Sequence, residues 1–349
     1  MSAAPQTPAA KGIVPKVPVI SARGIDMVFL KKQPGRFDPW LRKLGLPVAE
    51  PVGVHALDGV DIDVMKGEVV GLVGESGCGK STLGRVIAGI LEPTAGTFRF
   101  QGRAYDEMPP QERYRARVAV QMIFQDPFAS LNPRKRVFEI IGEAPLVHGL
   151  VSKANLSDYV DEIMLKCGID PAYKQRFPHQ FSGGQRQRIG IARALAVKPQ
   201  FLVCDESVAA LDVSIQAQVI NLFMDLRRDF DLTYLFISHD LGVVEHIADR
   251  VVIMYLGRVV ETAPTEALFD TPRHPYTQAL LANMPRISTG KQAFGQIIGE
   301  IPSPMHPPTG CHFHPRCPFA SARCRSERPV LRPTGPGSQA ACHLIEETP

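Results

Sequence analysis

The run Gly74-Glu75-Ser76-Gly77-Cys78-Gly79-Lys80-Ser81-Thr82 constrains this chain more than any other segment, because it fills the pattern G-x-x-x-x-G-K-[ST]. Residues 68–73 before it form an apolar run that reads as a buried strand, and residues 80–91 after it have helical spacing. A strand, a glycine-rich turn and a helix in that order aim backbone N–H groups at a phosphate, and the helix N-terminus adds positive partial charge. Lys80 is then placed to reach the β and γ phosphates of a nucleotide, and Ser81 to ligate magnesium. Cys78 needs no thiol chemistry here and reads as a small residue whose backbone matters.

Such a loop serves kinases, GTPases and helicases alike, so the residues downstream decide. Leu202-Val203-Cys204-Asp205-Glu206 is an apolar strand ending in two carboxylates. Asp205 would bind magnesium, directly or through water, and Glu206 would polarise the water that attacks the γ phosphate. Acidic residues at strand ends are common; their place after the phosphate loop gives these two their weight.

Phe181-Ser182-Gly183-Gly184-Gln185-Arg186-Gln187-Arg188 opens another helix, whose N-terminal N–H groups can face a γ phosphate. It resembles the LSGGQ signature of ABC ATPases, with Phe181 in the place usually held by leucine. Three further elements fall in that family's order: Gln125 in Met122-Ile123-Phe124-Gln125-Asp126-Pro127, Asp212 in Ala209-Ala210-Leu211-Asp212, and His239 in Ile237-Ser238-His239-Asp240. The resemblance implies ATP and Mg2+ as cofactors, with Gln125 touching magnesium and the attacking water and His239 contacting the γ phosphate. It implies also that Asp212 crosses to a partner, in a head-to-tail pair where each ATP lies between one subunit's phosphate loop and the other's residues 182–185. Ser207 stands where many members have proline, a change in loop stiffness that leaves both carboxylates in place. The adenine-stacking aromatic is unassigned; family spacing points near Pro51, with Phe37, Trp40 and His55 as alternatives.

Strand signals recur at residues 118–124, 200–204, 233–238 and 251–256, mostly separated by helical spacing, which indicates an α/β sheet. Helical spacing over 137–147, 156–167 and 183–196 suggests a helical subdomain inserted at about 127–195. Residues 1–19 mix Ala, Pro and Lys and read as a flexible tail; 19–29 and 56–64 read as strands, and 31–52 as a loop or insertion. The expected organisation is a nucleotide-binding domain over 20–270 and a C-terminal extension over 271–349.

That extension carries His274-Pro275-Tyr276-Thr277, then Gly310-Cys311-His312-Phe313 and Arg316-Cys317-Pro318. It is similar to the tail of ATPases in dipeptide and oligopeptide importers and their nickel-importing relatives. Cys311, Cys317, Cys324 and Cys342 could hold a 4Fe-4S cluster or a tetrahedral zinc, or remain free thiols; their spacing fits neither metal rule cleanly, and some members of the resembled family carry a cluster on such a tail. The resemblance implies a chain that powers peptide import together with two transmembrane permeases, an extracytoplasmic binding protein and a second, often different, ATPase subunit. An ABC ATPase acting on nucleic acid or ribosomes is the main rival; it usually has two ATPase units, a coiled-coil insertion or zinc modules in the core, none of which is seen in this sequence. Import of nickel or another small solute stays open, and a regulatory iron-sulfur protein conflicts with the intact Lys80, Asp205, Glu206 and His239.

The formal charge of +4, from 39 basic and 35 acidic residues, is too small to argue for a nucleic-acid partner, and Arg134-Lys135-Arg136 reads as a solvated face. No stretch approaches the roughly 18 consecutive apolar residues of a membrane helix, and no compact apolar signal core opens the chain. The chain is therefore expected to be soluble and cytoplasmic, and the resemblance implies a peripheral place on the cytoplasmic face of the inner membrane; in such a reducing compartment clustered cysteines suggest metal before disulfides.

Overall fold

The computed structural model describes residues 17–30, 53–209, 211–284 and 299–346. The expected flexible tail, apart from its last few residues, and the insertion at 31–52 lie outside these. In chain order the elements are β1 (Ile20–Leu30), β2 (Gly53–Val64), β3 (Val69–Val73), α1 (Lys80–Ile87), β4 (Ala95–Phe100), β5 (Arg103–Ala104), α2 (Pro110–Ala119) and β6 (Val120–Ile123). Three helices follow, α3 (Val137–Val147), α4 (Leu156–Lys166) and α5 (Gly183–Leu195), and then β7 (Phe201–Asp205), α6 (Val213–Phe230), β8 (Thr233–Ile237), α7 (Leu241–Ile247) and β9 (Arg250–Tyr255). The last group is β10 (Arg258–Pro264), α8 (Thr265–Asp270), α9 (Pro275–Ala282), α10 (Ala322–Ser326), β11 (Arg332–Gly335) and β12 (Ser338–Ala340).

Every residue of β3, β7 and β8 is buried, as expected of near-continuous apolar strands covered on both faces. They form the middle of an eight-stranded sheet in the order β11-β12-β10-β9-β3-β8-β7-β6. Neighbours from β9 to β6 are parallel, whereas β10, β12 and β11 are antiparallel. Parallel pairing puts the C-terminal ends of β3, β7 and β8 on one edge, where ligands of open α/β sheets bind. A second, antiparallel sheet, β2-β1-β4-β5, covers one side, with Val60, Leu83 and Ile87 in the core between. On the other side α3, α4 and α5 pack together through Ile141, Val160 and Ile189.

Two expectations need correction. The helix after the phosphate loop ends at Ile87 rather than residue 91, because Gly89, at φ +69°, donates its N–H to the Val86 carbonyl and closes the turn. The strand expected from residue 118 begins at Val120, since α2 runs through Ala119. The strands expected at 19–29, 56–64, 68–73, 200–204, 233–238 and 251–256 and the helices expected at 137–147, 156–167 and 183–196 match to within a few residues, whereas β10, α2 and α6 had no expected span.

Candidate active site

β3 delivers the chain to Gly74, where a side chain would meet the Met254 carbonyl oxygen at 2.2 Å, so only glycine allows the strand to leave the sheet there. Gly79 closes the loop at φ +106°, and a Cβ on it would lie 2.3 Å from the Ala56 carbonyl oxygen. Between them the chain curls around its own ammonium: Lys80, 4% exposed, donates to the Gly74 carbonyl at 2.7 Å and the Glu75 carbonyl at 3.0 Å. Ser76, Gly77, Gly79, Lys80, Ser81 and Thr82 line one pocket, to which Gln125 and Glu206 also contribute. Cys78 is buried, its thiol is pushed up by desolvation, and its carbonyl accepts the Gly257 N–H at 2.9 Å.

Ser81 and Asp205, separated by 124 residues, meet where α1 starts and β7 ends: Ser81 Oγ donates to Asp205 Oδ1 at 2.7 Å. Burial pushes the Asp205 carboxyl up, against a smaller opposing effect of this hydrogen bond. A hydroxyl and a desolvated carboxylate at the mouth of a phosphate loop could hold a magnesium ion, which favours oxygen ligands. One residue on, Glu206 has φ +44° and donates its N–H to the Ile237 carbonyl at 3.0 Å. That left-handed backbone costs a non-glycine residue roughly 1 kcal/mol or more and is found preferentially at functional sites. It turns the side chain so that Glu206 Oε2 accepts from Gln125 Nε2 at 2.7 Å and lies 3.5 Å from His239 Nδ1. Three residues singled out on separate motifs are thereby brought together.

Residues 182–185 are elsewhere and line no part of this pocket. Ser182 caps α5 in a local box: Ser182 Oγ accepts the Gln185 N–H at 3.4 Å, and Gln185 Oε1 accepts the Ser182 N–H at 3.1 Å. Both residues are exposed, and Gly183 and Gly184 are partly so. Asp212 is exposed at the start of α6 beside Val213, which is 84% exposed, an unusual position for a valine; Ala210 lies outside the described residues.

The sequence reading missed Phe29. It is the penultimate residue of β1, opposite Val54, and lines the pocket with Val54, Ala56 and Pro304, offering an aromatic surface beside the phosphate loop. Its signal was its place as the last aromatic of the first strand. Of the alternatives, His55 is bound through its main chain to the Pro304 carbonyl at 3.0 Å, and Phe37, Trp40 and Pro51 lie outside the described residues.

Cys311, Cys317, Cys324 and Cys342 line one small cavity with His274 and His343. Burial raises the thiols of Cys311 and Cys317, and pushes that of Cys342 up to about 11. Among the described residues no three His, Cys, Asp or Glu side chains are gathered closely enough to hold a metal ion, so a tetrahedral zinc finds no ready ligand set. His274 is fully buried, which lowers its pKa to about 4. Its Nδ1 accepts the Tyr276 N–H at 3.0 Å, so the neutral ring carries its proton on Nε2, and that atom has no hydrogen-bond partner. No described helix is long and apolar enough to cross a membrane.

Comparison with known proteins adds to this geometry. Residues 57–209 match the model of the ABC transporter family, and residues 260–324 match that of the oligopeptide/dipeptide transporter C-terminal region. The oligopeptide transport ATP-binding protein AppF of Bacillus subtilis is 49% identical over 295 residues, covering 83% of this chain and 90% of its own. The di/tripeptide transport ATP-binding protein DppF of Pseudomonas aeruginosa is 48% identical, with 84% and 91% covered. Among solved structures, cbiO1 of Clostridium perfringens, part of the ABC transporter complex cbiONQ, is 25% identical with a TM-score of 0.59 over 73% of this chain and 91% of its own. The ATP-binding cassette MJ0796, a dimer in a post-hydrolysis state bound to ADP and Pi, shares the fold at 24% identity, with a TM-score of 0.58 over 70% of this chain and 98% of its own.

Proposed function

The chain belongs to the ABC transporter family as one of its ATP-hydrolysing subunits, and on that premise we propose that it powers import of di- or oligopeptides. The cargo rests on the match of residues 260–324 and on what AppF and DppF are named for. Hydrolysis rests on one observation above the others, Glu206 held between Gln125 and His239 at the edge of the phosphate-loop pocket.

In this reading Lys80 exchanges its two loop carbonyls for the β and γ phosphates. Ser81, Asp205 and Gln125 would hold magnesium, which when bound supplies positive charge beside the transferring phosphoryl group. Glu206 takes the proton of the attacking water, and His239 contacts the γ phosphate. Phe29 stacks on adenine. Residues 182–185, exposed or partly so and capped by their own side chains, serve the phosphate of a partner subunit, with Asp212 crossing the same interface. The chain then docks peripherally on the cytoplasmic face beneath two permeases, alongside a second ATPase and supplied by an extracytoplasmic binding protein; residues 271–349 are the importer-type extension on a nucleotide-binding domain of residues 20–270.

The same reading gives Cys311, Cys317, Cys324 and Cys342 a 4Fe-4S cluster. What supports this reading is that the four thiols line one cavity together with His274, whose Nε2 has no hydrogen-bond partner. Such a cluster would cross-link the loops and short elements of the tail that carry the four cysteines, and hydrolysis needs no electrons from it. Iron and sulfide assays on anaerobically purified protein test this; a colourless, iron-free sample overturns it. For the transport reading, we expect co-purification with two permeases and peptide-stimulated ATPase activity in proteoliposomes. Co-purification with nucleic acid and no response to any peptide overturns it.

A further inference from the structure

The C-terminal region reaches back to the phosphate loop at one residue. Glu75, the second residue of that loop, is gripped twice. Its carboxylate accepts a bidentate pair from Arg316, Nη1 to Oε2 at 2.7 Å and Nη2 to Oε1 at 3.0 Å. Its main-chain N–H donates to the Tyr276 hydroxyl at 2.9 Å. Arg316 is 9% exposed, and its Nη1 also donates to the Tyr255 hydroxyl at 3.4 Å. The Tyr255, Tyr276 and Phe313 rings pack against one another at 4.7–5.3 Å beneath this contact. A planar guanidinium forked onto a carboxylate in a largely desolvated setting is directional as well as strong.

The tail does not need this pair to stay attached. Arg258 already ties Asp58 at 2.8 Å to the Gly310 carbonyl at 2.9 Å, Arg328 reaches Asp58 at 3.0 Å, and β12 is hydrogen-bonded to β10. Arg316 holds the Glu75 carboxylate, and the Glu75 carbonyl is one of the two anchors of the Lys80 ammonium, at 3.0 Å. A displacement of Glu75 therefore moves the group that must meet the phosphates.

We propose that Arg316 is a positioning residue of the ATPase: from the C-terminal region it fixes Glu75, and through Glu75 the phosphate loop and Lys80, so that nucleotide affinity is set in part by the tail. The role does not depend on which solute is transported.

The test is a double-mutant cycle on the full chain, Arg316→Gln, Glu75→Gln and both together, with Arg316→Lys as the conservative variant. It reads the dissociation constant of a fluorescent ATP analogue, the ATPase kcat and KM, and the melting temperature. Losing a preorganising charged pair should weaken nucleotide binding about tenfold in either single variant, raising KM more than it lowers kcat. The double variant should be no worse than the singles, because the two groups act as a unit. Lys keeps the charge but not the fork, so it should restore affinity in part. Affinity unchanged to within about twofold in folded Arg316→Gln, or additive losses in the double variant, overturns the proposal. So does a lowered melting temperature with normal affinity, which would make the pair a structural staple only. If Arg316→Gln does not fold, Glu75→Gln carries the same two outcomes.

Discussion

The phosphate-loop pocket and the start of α5, the two places proposed to meet phosphate, are held together in opposite ways. The pocket is assembled from long-range bonds: Ser81 to Asp205 across 124 residues and Gln125 to Glu206 across 81. The helix start is capped by Ser182 and Gln185, three residues apart, through hydrogen bonds to each other. A site that folding must assemble is finished within one chain, whereas one complete from local sequence alone faces outward. The difference fits the proposed head-to-tail pair, in which each copy supplies a finished half to the other.

The sharpest way to break this contrast is Glu206→Gln. It should lower ATP turnover by roughly 10²–10⁴-fold while MgATP binding persists, as measured by turnover and by nucleotide retention. Normal hydrolysis would remove Glu206 from the chemistry. Next is Gly184→Val. A Cβ at Gly184 already comes 2.5 Å from Ile215 Cγ2, so valine forces the start of α5 away from α6. Turnover should fall about 100-fold, as for loss of one preorganised donor, with the affinity of the variant's own phosphate loop unchanged. A parallel loss of affinity would show that the two regions are not separate half-sites. Phe29→Ala should weaken nucleotide binding several-fold, corresponding to about 1 kcal/mol of base stacking, without changing the rate at saturating ATP. Smallest is Ser182→Ala, which should lower unfolding free energy by about 0.5–1 kcal/mol in a denaturant titration, the cost of a lost N-cap.

Much of the pocket was legible because its residues sit at the ends of buried strands. Lys80 follows β3, Asp205 ends β7 and His239 follows β8, so apolar runs marked where each would emerge, and parallel order brought them to one edge. The left-handed turn at Glu206 left no mark in composition, because it is imposed by the Ile237 carbonyl that receives its N–H. Phe29 was hidden because its neighbours in the pocket come from a different strand and from Pro304. Arg316 and Glu75 are 241 residues apart, and no local pattern announces a pair of that kind. The edge strands β4, β5, β11 and β12 escaped notice for a simpler reason: they are short and mostly exposed, so no apolar alternation betrays them.

The covering of β10 by β12 has a consequence for how the molecule is made. Glu261 and Thr262 of β10 pair with Ala340 and Gln339, which leave the ribosome long after the strands of the nucleotide core. Until then the growing chain carries a sheet with one open row of amide and carbonyl groups, ready to pair with a neighbouring nascent chain. Closure of that row waits on β12, and a message cut short before it would leave the β10 edge uncovered and adhesive.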